Sequence, residues 1–139
     1  MITYVDTSAW IKLLSREQYT DQLRTFVADR LDQGATLISS DVIHAELRRA
    51  ALRIGMPLLA AVESLELLST VAANRAMLVR AGSRVFPAGP RGRARNPKTL
   101  DAIHIETALA VGADELVTYD QAMAQAANSI GLRTVAPGQ

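Results

Sequence analysis

Short apolar runs rich in β-branched residues alternate along the chain with longer stretches in which apolar positions recur every three or four residues. Ile2–Val5 predicts a first strand that stops at Asp6, where Thr7 and Ser8 offer capping oxygens to a helix carrying Trp10, Ile11, Leu13 and Leu14. A second helix, from about Tyr19 to Gln33, is closed by Gly34, and Thr36–Ser39 reads as the second strand. Ser40 and Asp41 cap a third helix that runs toward Ile54 and ends at Gly55; Pro57 opens a fourth. Leu67–Val71 fits either a third strand or a continuation of that helix. Asn74–Val85 and Leu100–Val111 are helical, the latter ended by Gly112. Leu116–Tyr119 is a strand, Gln121–Ile130 a helix ended by Gly131, and Arg133–Ala136 a last short strand. Pro87–Pro97 packs three prolines, two glycines and three arginines into eleven residues, which predicts a mobile loop.

Strands that alternate with helices imply parallel pairing, because each parallel connection needs a crossover that covers a face of the sheet. The expected fold is therefore α/β, a three-layer α/β/α sandwich with a central, mainly parallel sheet, in a single domain over residues 1–139. In such sheets ligands sit beyond the carboxyl ends of the strands, so residues that directly follow strands are where chemistry is sought.

Composition narrows the chemistry. Hydrophobic residues at 49% and charged residues at 21% favour a packed core over disorder. The absence of cysteine excludes a disulfide scaffold, a thiolate zinc site, an iron–sulfur cluster and a cysteine nucleophile. The start MITYVDTSAW lacks the charged and apolar regions of a signal peptide, and no run approaches the roughly 18 apolar residues of a membrane span, so a cytoplasmic location without membrane contact is expected. The net charge is only +1, but it is unevenly spread. No acidic residue lies between Glu66 and Asp101, an interval that contains Arg75, Arg80, Arg84, Arg91, Arg93, Arg95 and Lys98. Such a stretch attracts phosphates, although an Arg-rich solvated surface has the same composition.

Four carboxylates stand out against this background. Asp6 follows the first strand and Asp120 follows Leu116–Tyr119, so both emerge at one edge of the sheet, although each also suits a helix N-cap. Asp101 shares a helical line with Ile105, Ala108 and Gly112, and a carboxylate on a buried stripe needs a partner that the helix dipole alone does not supply. Glu46 flanks the stripe of Ile43, Leu47, Ala50 and Ile54, where an ion pair with Arg49 is the plainer alternative. If the four converge, two of them about 4 Å apart repel by roughly 4 kcal/mol at an effective dielectric of 20. Oxygen donors without cysteine or several histidines favour Mg²⁺ or Mn²⁺ over zinc, and such ions serve phosphodiester hydrolysis. His44 and His104 read as ordinary core or surface histidines, Trp10 as core, and Glu106, off the Asp101 line, as solvated or supporting.

These pieces together resemble the PIN-domain family, and within it the VapC toxins of bacterial toxin–antitoxin pairs. VDTSAWIKLL at the start, DVIHAELRRA around Glu46, LDAIHIETAL around Asp101 and LVTYD ending at Asp120 carry the likeness, which spans essentially the whole chain. The resemblance implies a metal-dependent endoribonuclease whose acidic quartet is Asp6, Glu46, Asp101 and Asp120, holding Mg²⁺ or Mn²⁺. It further implies that Thr118 and Ser8 orient the carboxylates or water, and that a cognate antitoxin inhibits a frequently dimeric enzyme. Arg84, Arg91, Arg93, Arg95 and Lys98 are the candidates for holding the RNA backbone. Two features depart from the family pattern: Glu106 stands where a small residue is usual and is expected to add an acid near the site, and the Pro87–Pro97 loop is longer and more basic. A non-catalytic PIN-like module that binds RNA is the alternative. A phosphorylated receiver domain lacks its acid pair and late lysine here, and no G-x-G-x-x-G follows the first strand for a dinucleotide.

Overall fold

In the computed structural model, which describes residues 1–139, five strands form one sheet in the order β3-β2-β1-β4-β5, parallel throughout. The strands are β1 (Ile2–Val5), β2 (Thr36–Ser40), β3 (Ser69–Val71), β4 (Glu115–Val117) and β5 (Thr134–Val135). Helices α1 (Thr7–Leu14), α2 (Thr20–Asp32), α3 (Ile43–Ile54), α4 (Leu58–Ser64), α5 (Arg75–Ser83), α6 (Thr99–Ala110) and α7 (Gln121–Ser129) connect them. The ambiguous Leu67–Val71 stretch divides: a 3-10 turn over Leu65–Leu67 ends α4, and β3 begins at Ser69.

Strand alternation builds the three layers. Val5, Leu37 and Val117 point to one face and pack with Trp10, Leu23, Ile43 and Leu47 of α1, α2 and α3. Tyr4 and Leu116, their neighbours in sequence, point to the other face and pack with Ile105 and Ala108 of α6 and with Met123, Ala126 and Ala127 of α7. No helix is long and apolar enough to cross a membrane.

Helix α6 differs from the single-striped helix expected, since seven consecutive residues, Ala102–Ala108, are buried. It is wedged between the sheet and α5, so its polar residues must find partners inside the protein. The Pro87–Pro97 segment is likewise more ordered than its composition suggests. Phe86, buried against the second core face, pairs with Arg95 in an antiparallel bridge, and Arg95 Nη1 donates to the carbonyls of Pro87 and Ala88 at 2.8 and 3.2 Å.

The chain leaves β1 toward β2 on one side and returns to β4 on the other. The gap beyond the carboxyl ends of β1 and β4 is therefore the topological switch point, the position at which α/β sheets bind their ligands. Asp6 and Asp120 flank it.

Candidate active site

Asp6 ends β1 and caps α1, so its position is fixed from both sides. Its Oδ1 accepts the Ala9 N–H at 2.7 Å, Thr118 donates to Oδ2 at 2.6 Å, and the Ser8 hydroxyl reaches both oxygens at 3.0 and 3.1 Å. The capping role and the site role thus coincide in one residue. The carboxyl group is fully buried, and burial raises its pKa although the bonds from Thr118 and Ala9 and the charge of His104 oppose the shift.

Asp120 repeats the arrangement at the end of β4: it caps α7 by accepting the Met123 N–H at 2.9 Å, while its own N–H donates to the Thr118 hydroxyl at 3.1 Å. Thr118 therefore bonds to both acids at the switch point. Asp101, in the first turn of α6, has its pKa raised by burial and then by the charges of Asp120 and Asp6. The charges of Asp6 and Asp120 thus both oppose the ionisation of Asp101.

Glu46 faces this group from α3 and is held differently. Oε1 accepts from the Thr7 hydroxyl at 2.7 Å and lies 2.8 Å from His104 Nε2, leaving Oε2 without a protein donor. Burial opposes ionisation, but the hydrogen bond and charge of His104 and the bond from Thr7 outweigh it, and the pKa is lowered. The pairing with Arg49 is not formed.

His104 is the residue that sequence reasoning undervalued. It is 2% exposed, edge-on to the Tyr4 ring, with Nδ1 2.7 Å from the Tyr4 hydroxyl and Nε2 toward Glu46. An ionised carboxylate only accepts, so Nε2 carries a proton toward Glu46, while Nδ1 is engaged by the Tyr4 hydroxyl. The available signal was its place three residues after Asp101, one helical turn along α6.

Glu106 requires correction. It adds no acid to the quartet; it is 2% exposed and turned toward α5, where the Arg84 guanidinium grips it with two bonds and Arg80 lies 3.6 Å away. Arg84 is corrected with it, because its fork is committed to a buried carboxylate. Arg91, Arg93 and Lys98 are exposed and form no ion pair, whereas Arg95 is half-buried in its loop.

The donor set tests well for a hard divalent cation: several carboxylates, no thiolate, and mutual repulsion unrelieved by any arginine or lysine. No three acidic or histidine side chains close into a cage around one point, so the site is an open cluster. Beside it, a groove of about 550 Å³ runs between α1 and α3, lined by Thr7, Ser8, Ile11, Ala45, Glu46 and Arg49 among others.

The PIN domain family profile matches residues 3–129. Ribonuclease VapC46 of Mycobacterium tuberculosis is 35% identical over 136 residues, 96% of each chain. In shape, the chain is similar to M. tuberculosis VapC20, described as a toxin that cleaves the sarcin–ricin loop, with a TM-score of 0.74 at 15% identity over 97% of this chain and 99% of that one. VapBC2 from Rickettsia felis, bound to a DNA fragment from its promoter, gives a TM-score of 0.69 at 15% identity, covering 97% and 98% of the two chains.

Proposed function

This chain belongs to the PIN domain family, and from that premise we propose that it is a VapC-type endoribonuclease toxin that hydrolyses RNA phosphodiester bonds. The observation that carries the reading is the placement of Asp6 and Asp120 at the switch point, joined through Thr118, with the charges of both acting on Asp101 and neither arginine nor lysine among them. VapC nucleases of this family depend on a divalent metal. The finer assignment, Mg²⁺ or Mn²⁺ held by Asp6, Asp101 and Asp120 with Glu46, follows from the oxygen-only donor set.

The bound cation supplies charge to the scissile phosphate and lowers the pKa of water. The remaining work belongs to the chain. Ser8, Ala9 and Thr118 fix both oxygens of Asp6, and Thr118 ties that geometry to Asp120. His104 and Thr7 lower the pKa of Glu46 through Oε1, which leaves Oε2 free and would let it help hold the cation or accept a proton from the attacking water. Water adds to phosphorus as the P–O3′ bond breaks, leaving a 3′-hydroxyl and a 5′-phosphate.

Relatives with VapBC in their descriptions support a VapB-like antitoxin as the protein partner, and the half-apolar groove beside Glu46, with Arg49 on its rim, suits a peptide segment that would cover the acids. A cytoplasmic location and a homodimer belong to the same proposal. The test is cleavage of single-stranded RNA by the purified protein with Mg²⁺, Mn²⁺ or EDTA, alongside Asp101→Asn. Metal-dependent cutting that falls by at least about a thousandfold in the variant, on the order of 4 kcal/mol in the barrier, is expected. RNA that is bound but never cut under any metal condition would favour the non-catalytic module.

A further inference from the structure

The seven basic residues between Arg75 and Lys98 are not equivalent. Arg84 is bonded to the buried Glu106 and Arg80 lies 3.6 Å from it, so both have a carboxylate partner within the protein. Arg91, Arg93 and Arg95 instead surround a cavity of about 550 Å³ closed by Gly89, Pro90 and Gln125, and no carboxylate lines it. A concave site of this size, cationic and without a counter-charge, suits a nucleotide unit.

The loop that makes the cavity is built rather than loose. The Gly89 N–H donates to the Arg93 carbonyl at 2.6 Å, and Arg91 is held at a φ of 59°, in the left-handed region that a non-glycine residue seldom adopts. A Cβ placed at Gly89 would lie 3.4 Å from the Arg93 carbonyl and 3.6 Å from the Arg95 guanidinium, so that guanidinium packs against the backbone of its own loop. Arg95 Nη1 is occupied by two carbonyls, yet its Nε is buried without any partner. A buried orphan donor is unfavourable, and the Nε–Nη2 edge is the side of a guanidinium that grips a phosphate with two parallel bonds.

The cavity borders the helix that Asp120 caps. Gln125 lies on α7, five residues beyond Asp120, so the two are separated by roughly 7–8 Å along the helix axis at 1.5 Å per residue. We propose that the Gly89–Arg95 loop is a phosphate-binding site for the RNA strand, gripping a backbone phosphate away from the scissile one through Arg95 with Arg91 and Arg93 as flanking charges. This inference rests on the ribonuclease reading and extends it to how the substrate is aligned.

Binding of an end-labelled single-stranded RNA dodecamer, followed by fluorescence anisotropy in EDTA between 50 and 200 mM KCl, tests it. The double variant Arg91→Ala/Arg93→Ala leaves the Arg95 bonds to Pro87 and Ala88 in place, and an unchanged melting temperature checks its fold. Affinity should fall at least tenfold, and the slope of log K against log salt should shrink by about 1.4, two contacts at roughly 0.7 each for a single strand. Arg95→Lys, which keeps the charge and loses the fork, should also weaken binding. Affinity and slope equal to wild type in both variants would overturn the site. Loss of binding to an acidic decapeptide with RNA binding intact would overturn it too, assigning the cavity to a protein partner. Wild type that binds RNA with the full slope yet never cuts it would instead sink the ribonuclease reading alone.

Discussion

At the amino-terminal edge of the sheet, Glu115 of β4 is fully buried and completely answered: Arg30 holds both its oxygens at 2.6 and 3.1 Å, Thr3 donates at 2.9 Å, and Arg133 lies 3.7 Å away. At the carboxyl-terminal edge of the same strands, Asp6 is equally buried, and it meets hydroxyls and an N–H but neither arginine nor lysine. The electrostatic outcomes are opposite. Burial pushes Glu115 up, but Arg30 and Thr3 more than reverse it, whereas Asp6 and Asp101 remain raised. Glu106 is likewise paired with arginine, through Arg80 of α5 and Arg84 at its end. Where a buried carboxylate serves only the fold, this chain supplies its cation; at the switch point neither arginine nor lysine takes that place, which is where the proposed metal would sit.

Removing the compensation at the structural edge tests the contrast most strongly. Arg30→Met should leave Glu115 buried beside only the distant Arg133, destabilising the fold by about 3 kcal/mol in urea unfolding at pH 7. Because the pairing holds the Glu115 pKa down, its stabilisation is present above the unfolded-state pKa and is lost as pH falls through the folded value. The deficit of the variant should therefore shrink on acidification. An equal deficit at all pH values would mean lost packing and not an unpaired charge.

A smaller effect is expected where the functional edge borrows a structural device. His104→Phe keeps a ring against Tyr4 but removes the donor to Glu46, and divalent-metal affinity should fall by about tenfold to a hundredfold. Unchanged Mn²⁺ affinity in a folded variant would reduce His104 to packing.

The smallest expected effect has the opposite sign. Asp101→Asn relieves repulsion with Asp120 and Asp6, so the metal-free variant should be slightly more stable than wild type at pH 7, by a few tenths of a kcal/mol, about the scale of a solvent-screened charge pair. A raised pKa means that the native stability is complete below the unfolded-state value, near 4, and is lost as pH rises through the folded value. The advantage of the variant should then grow from pH 4 to pH 7 in thermal melts without metal, and a constant difference would contradict the repulsion.

How far the sequence carried this picture depended on the range of each interaction. Strand and helix positions were legible because apolar period and capping residues are local, and Asp6 and Asp120 were legible because they directly follow strands. Asp101 was singled out by a stripe that the structure replaces with a helix buried nearly all round; burial raises its pKa first, and the charges of Asp120 and Asp6, which no stripe reports, add to it. Glu106 was misjudged because its partner Arg84 lies 22 residues earlier and on another helix. His104 draws its meaning from Tyr4 and Glu46, 100 and 58 residues away, and no periodicity reports such a contact. The Pro87–Pro97 loop was placed correctly but judged by composition, which is blind to the bonds Arg95 makes to its own turn.

The central claim is that the carboxyl edge is an acid cluster completed by a cation, and calorimetric titration of the metal-free protein with Mn²⁺ measures it directly. Saturable binding is expected in wild type, accompanied by a rise in melting temperature, with both lost in Asp101→Asn. Binding of equal affinity in that variant, or no binding to a folded wild type, would contradict the account.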